Sequence, residues 1–88
     1  MNIKPEILLT MFEELAVKLN IKLVHSKGSF EGGSCVFKDQ EYIVINRSKP
    51  IEQRLKVLAT SFHVKDLSGK YLVPALRSYI DEVNVRYN

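Results

Sequence analysis

Gly32-Gly33-Ser34-Cys35-Val36-Phe37-Lys38-Asp39-Gln40-Glu41-Tyr42-Ile43-Val44-Ile45-Asn46 is the stretch on which the fold of this chain turns. Ser34 to Lys38 has strand character, and Tyr42-Ile43-Val44-Ile45 is apolar on both faces. Asp39-Gln40 between them is a polar pair suited to a hairpin turn, although it lacks the glycine that two-residue turns favour. A run apolar on both sides belongs in the centre of a sheet. The glycines in front raise a second reading, a phosphate-cradling loop. Such a loop needs backbone N–H groups converging at a helix N-terminus, with lysine following. A strand follows here instead, so Gly32 and Gly33 are expected to supply positive φ or a bulge at the strand entry.

Working outward, Ile21-Lys22-Leu23-Val24-His25 alternates, with Ile21, Leu23 and His25 on one side and Lys22 and Val24 on the other. That is the pattern of a half-buried strand. Before it, Pro5 and Glu6 suit a first helical turn, and Leu8, Met11, Phe12, Leu15 and Leu19 recur at helical spacing. Asn20 tolerates the left-handed conformation that ends helices, which predicts a helix over 5–19. After the hairpin, Pro50 leads a second helix whose stripe is Ile51, Leu55, Leu58, Ala59 and Phe62, with Glu52 and Lys56 spaced as an i,i+4 pair. A break at 65–70 contains Gly69, and a third helix over 74–84 starts at Pro74 and buries Leu76, Ile80 and Val83. Arg86-Tyr87-Asn88 reads as a tail. The order α-β-β-β-α-α predicts an α+β fold: a small three-stranded, mainly antiparallel sheet with helices packed on one face.

With 88 residues there is room for one domain, 1–88, which buries only about 60–65% of its unfolded surface. A composition 45% apolar and 26% charged is that of a folded domain and not a disordered tail. The net charge of +3 is spread through the chain, whereas nucleic-acid binders gather Lys and Arg into a patch. Arg47, Lys49, Arg54 and Lys56 come nearest to one, and Glu52 interrupts them. A single cysteine fits a reducing compartment. The first 15 residues have an apolar run broken by Glu13 and Glu14 and no small-residue cleavage site, and no run reaches membrane-spanning length. A cytoplasmic protein without membrane contact is expected.

The candidate chemistry is sparse. Cys35 as a nucleophile needs a partner that lowers its pKa, and His25 and His63 are both distant in sequence. Free cysteine is among the most buried residue types, so Cys35 and Phe37, sharing a face, are expected to point into the helices. His25, Cys35 and His63 are the soft metal ligands, in no recognised spacing. His63 at the end of the second helix is explained by the dipole. Glu13-Glu14 and Asp81-Glu82 diverge by about 100° along a helix and do not form acid/base pairs. Arg54 and Arg77 are expected at the surface, or each tying its helix to a carboxylate or carbonyl.

Glu14-Leu15-Ala16-Val17-Lys18-Leu19-Asn20-Ile21-Lys22-Leu23, then the Gly-Gly strand entry, Ile43-Val44-Ile45-Asn46, and a helix bearing "EQRLKVLATSF" follow one another in a familiar order. Over roughly residues 8–64 the chain resembles the N-terminal half of the ImmA/IrrE-type metallopeptidase domain. In that family the corresponding helix carries the zinc motif His-Glu-X-X-His. Here those positions hold Thr60, Ser61, Phe62, His63 and Val64, with neither zinc histidine nor glutamate base. The resemblance therefore implies a degenerate, non-peptidase relative. The chain also resembles short bacterial proteins with the same Gly-Gly-X-Cys and Leu-X-Pro-Ala-Leu-Arg features, a likeness that carries no function with it.

The expected function is a non-catalytic binding or interaction module, needing neither cofactor nor metal. Its partner would be an unidentified protein or a second copy of itself, because a sheet this small leaves an edge or a face to be covered. Gly32, Gly33, Cys35, Arg54, His63 and Arg77 are its structural or binding candidates. The alternative is a metal- or thiol-dependent enzyme using Cys35 with His25 or His63. Nucleic-acid binding is the weakest reading.

Overall fold

Pro5 opens α1 (Pro5–Lys18), with Glu6 in its first turn and Lys18 in its last, so both ends carry charge that complements the helix dipole. The helix stops because Asn20 takes φ +58°, the left-handed conformation expected of it. The elements that follow are β1 (Ile21–Ser26), β2 (Gly32–Phe37), β3 (Gln40–Asn46), α2 (Ile51–His63) and α3 (Pro74–Tyr87). The computed structural model describes residues 3–65, 67 and 69–87, with Arg86 and Tyr87 described by backbone alone. The fold is α+β, with a three-stranded sheet in the order β1-β3-β2. The strand that is apolar on both faces is central, as its pattern requires.

Two details differ from the sequence reading. β1 runs parallel to β3, Leu23 opposite Ile43, so the sheet is mixed, with only the β2–β3 pair antiparallel. The loop at 27–31 carries the chain past β3, so β2 and β3 form the hairpin and β1 pairs on the far side. The hairpin turn is one residue earlier than Asp39-Gln40. Lys38 and Asp39 are its central residues, at φ +50° and +66°, and Gln40 already pairs with Phe37. Positive φ at both central positions is the type I′ signature, which matches the twist of the strands.

The helices cover one face of this sheet. Ile21, Ile43 and Ile45 point to that side and are buried with Leu8, Phe12, Leu15, Leu55, Leu58, Phe62, Leu76, Ile80 and Val83. Phe12 joins the three helices: its ring stacks on Phe62 at 5.7 Å between centroids and meets Tyr79 edge-on at 6.2 Å. Met11, Leu19 and Ile51, expected in the stripes, are partly buried against this core, and Leu72 joins it from the α2–α3 connection. α3 runs three residues beyond its expected end at 84, so the expected tail is helical through Tyr87, and Asn88 lies outside the described residues. Asp66 and Ser68 of the break at 65–70 also lie outside them, and Gly69 there has φ +79°.

Two buried asparagines fix the connections. Asn46 is 0% exposed; its side-chain amide donates to the carbonyls of Gly28 (2.7 Å) and Phe30, and its oxygen accepts from the Ser48 N–H. One side chain thus clamps the β1–β2 loop to the lead-in of α2. Asn84 donates to the carbonyls of Ile80 (2.7 Å) and Ala59 (3.2 Å), tying α3 to α2. Among the described residues no helix is long and apolar enough to cross a membrane.

Candidate functional site

The strand register sorts every side chain of the sheet. Residues directly opposite one another share a face. Leu23, Ile43 and Ser34 form one row on the helix side, and His25, Ile45 and Gly32 form the next. On the other side Lys22, Tyr42 and Cys35 form a row, followed by Val24, Val44 and Gly33, with Phe37 beside Gln40. Among the described residues no helix packs there. Lys22, Val24, Cys35 and Phe37 are exposed, Phe37 at 61%, while Tyr42 and Val44 are half-buried.

That face is apolar where a solvated sheet face is ordinarily polar. It presents Val24, Val44, Tyr42, Cys35 and Phe37, with Lys22 as its one charged strand residue. Parallel strand pairs normally lie buried on both faces, yet the β1–β3 pair is covered on one. The face runs on to a free edge. β2 pairs with β3 only, and its outer side has no strand beside it among the described residues. β2 contains no charged residue and no proline, the usual protections of an edge. β1, the other edge, carries Lys22 and His25 and is flanked by Glu13, Ala16 and Val17 of α1.

Gly32 and Gly33 do different work at the start of β2. Gly32 has φ +109°, and a Cβ there would lie 2.5 Å from the Val44 carbonyl oxygen, so only glycine lets the strands close. Beside Gly33 a Cβ would meet nothing within 4 Å, which leaves a gap in the uncovered face next to Val44. This strand entry also corrects the expectation for Cys35. The thiol is exposed, and it shares a face with Phe37 as expected, but that face is the one without helices. Opposed residues share a face, and β3 gives Ile43 and Ile45 to the helices and Tyr42 to the other side. With Ser34 opposite Ile43, it is the serine and not the cysteine that looks toward the helices.

The structure does not bring Cys35, His25 and His63 together. His25 lies on the helix side of β1, its Nε2 4.0 Å from Glu13 Oε2, and Cys35 lies on the opposite face of the sheet. His63 ends α2 and is exposed, lining a surface depression of about 320 Å³ with Lys65, Arg77 and Asp81. Among the described residues no three His, Cys, Asp or Glu side chains are grouped to hold a metal ion. Arg54 is half-buried and ties the start of α2 back by donating from Nε to the Lys49 carbonyl (3.1 Å); Arg77 is exposed. The basic stretch around them is partly neutralised, with Lys49 Nζ 3.6 Å from a Glu31 carboxylate oxygen.

Tyr42, Val44, Val24 and Phe37 are the site residues that the sequence reading did not single out. For Tyr42 and Val44 the signal was present in the two-sided apolar run of β3, because one layer of helices covers one face only. No family model, curated protein or solved structure matches the chain.

Proposed function

We propose that this chain is a non-catalytic interaction module, and that the uncovered face of its sheet is the surface by which it docks. The observation that carries this reading is the apolar row structure of that face: Val24 beside Val44, and Tyr42 beside Cys35, with Phe37 at the margin. Burying such side chains is worth about 25 cal/mol per Å² of apolar area, and water satisfies none of them. The interior points the same way. Among the described residues every buried side-chain nitrogen and oxygen has a hydrogen-bond partner, so the core holds no polar group waiting for a ligand. On the same reading the chain is a relative of the metallopeptidase domain that has lost the zinc motif, with Thr60 and Val64 exposed where the two histidines would stand. The single cysteine favours a reducing, cytoplasmic setting.

The test is a photoreactive phenylalanine placed at position 37 and, as a control, at Val85, which is 84% exposed on α3. Irradiation in the native cell should give discrete covalent adducts from position 37 and none of the same mass from position 85. No adduct from position 37, or identical adducts from both, overturns the reading.

A further inference from the structure

We infer that the chain also pairs with a second copy of itself, β2 antiparallel to β2 about a two-fold axis midway between the two copies of Cys35, so that two uncovered faces join into one docking surface; this rests on the interaction reading above. Two edges are free, and they differ. β1 bears Lys22 and His25 and has α1 alongside, whereas Gly32–Phe37 offers unpaired backbone groups with no charge to repel a like strand. A strand without charge is also self-compatible, since no residue of β2 meets a like charge when its own copy lies antiparallel.

The register follows from symmetry and from the gap at Gly33. A two-fold axis perpendicular to the sheet leaves each face on its own side, so opposed residues must come from the same face and the axis must pass midway between a residue and its own copy. Centred on Cys35, it pairs all of Gly33 to Phe37. Cys35 then faces Cys35 of the second copy, and Ser34 faces its Val36. Phe37 comes to lie over Gly33 of the second copy, where a Cβ meets nothing within 4 Å. An aromatic ring across from a strand glycine fills the surface that glycine leaves bare. Centred on Ser34 instead, Phe37 would face Glu31 and Gly33 would face the thiol, and the gap would stay open. The product is a continuous six-stranded sheet whose two uncovered faces lie on the same side and merge. The seam of two short strands buries less than the roughly 800 Å² per partner of a standard interface, so association is weak and depends on concentration.

The experiment is light scattering over a concentration series, combined with a short bifunctional thiol alkylator. Directly opposed strand residues have Cα atoms about 4.5–5.5 Å apart, so a reagent of that reach links Cys35 to its copy only in this register. A dimer that forms with rising concentration, is captured through Cys35, and is weakened roughly tenfold or more by Val36→Lys is the expected result. Val36 is 67% exposed, and circular dichroism of the variant shows whether the fold is retained. The alkylation of the unaltered chain gives its answer even if that variant unfolds. A chain monomeric up to about 1 mM, or a dimer that the alkylator does not capture, overturns the pairing. If the monomeric chain still gives position-37 adducts with a different protein, self-pairing fails while the interaction reading stands. Absence of both dimer and adducts overturns the two together.

Discussion

Cys35 stands directly opposite Tyr42 across the β2–β3 pair, on the face of the sheet that no helix covers. Two residues of types usually found inside a small domain therefore sit at its surface side by side. The neighbouring row, Val24, Val44 and Gly33, continues the same apolar surface. Its exposure costs the isolated chain solvation free energy that burial against a partner would recover.

Phe37→Ser should separate folding from docking. At 61% exposure the ring contributes little to the isolated fold, so the free energy of unfolding in urea should change by less than about 0.5 kcal/mol. Association through the face should fall sharply. A loss of several kcal/mol in stability would place Phe37 in the core and contradict the open face.

Gly32 and Gly33 should respond differently to alanine. Gly32→Ala meets both positive φ and the Val44 carbonyl oxygen at 2.5 Å, and should destabilise by about 1–3 kcal/mol. Gly33→Ala also meets a positive φ, +154°, but has open space beside it and should cost less. Equal urea midpoints for the two variants would show that the close approach at Gly32 does not exist.

The hairpin turn holds two L-residues in left-handed conformations, Lys38 and Asp39. Each such residue costs about 1 kcal/mol where glycine or asparagine costs less. Lys38→Asn with Asp39→Gly should raise the thermal midpoint and stabilise by about 0.5–1 kcal/mol. A destabilised double variant would mean that the turn falls at Asp39-Gln40 after all.

The sequence carried the elements well because their signals are local. Pro5, Asn20 and Pro74 mark helix ends, and Phe12, Leu58 and Ile80 fall on stripes that the core does bury. Pairing was harder to read, because nothing in Ile21–Ser26 says whether β1 meets β3 in parallel or antiparallel sense. The facing of β2 was harder still. Its side chains alternate with period two, and which set looks inward is decided by β3, which turns Ile43 and Ile45 to the helices and Tyr42 and Val44 away. Cys35 was assigned to the core on residue type, and its place opposite Tyr42, on the face away from Ile43 and Ile45, sets it outside. Asn46 looked like the last letter of a strand motif, and only the fold shows the loop it clamps.

That clamp is itself testable. Asn46→Ala removes a side chain that is itself 0% exposed and leaves the part-buried Gly28 and Phe30 carbonyls and the Ser48 N–H without their partner. Unsatisfied buried groups cost about 1–3 kcal/mol each, so the variant should lose at least that much stability. Hydrogen exchange should quicken first at 27–31. Unchanged exchange there would remove the clamp from the account.

The most direct test of the docking face is the alkylation rate of Cys35, measured in dilute purified protein and in the native cell. The thiol is exposed in the isolated chain, so dilute protein should react at nearly the rate of the unfolded chain. In the cell the covered face should slow that reaction strongly. A Cys35→Ser chain carrying Glu14→Cys on the exposed side of α1 should label equally in both settings. Slow labelling of dilute native protein would contradict an open face, and equal Cys35 rates in buffer and cell would contradict its use as an interface.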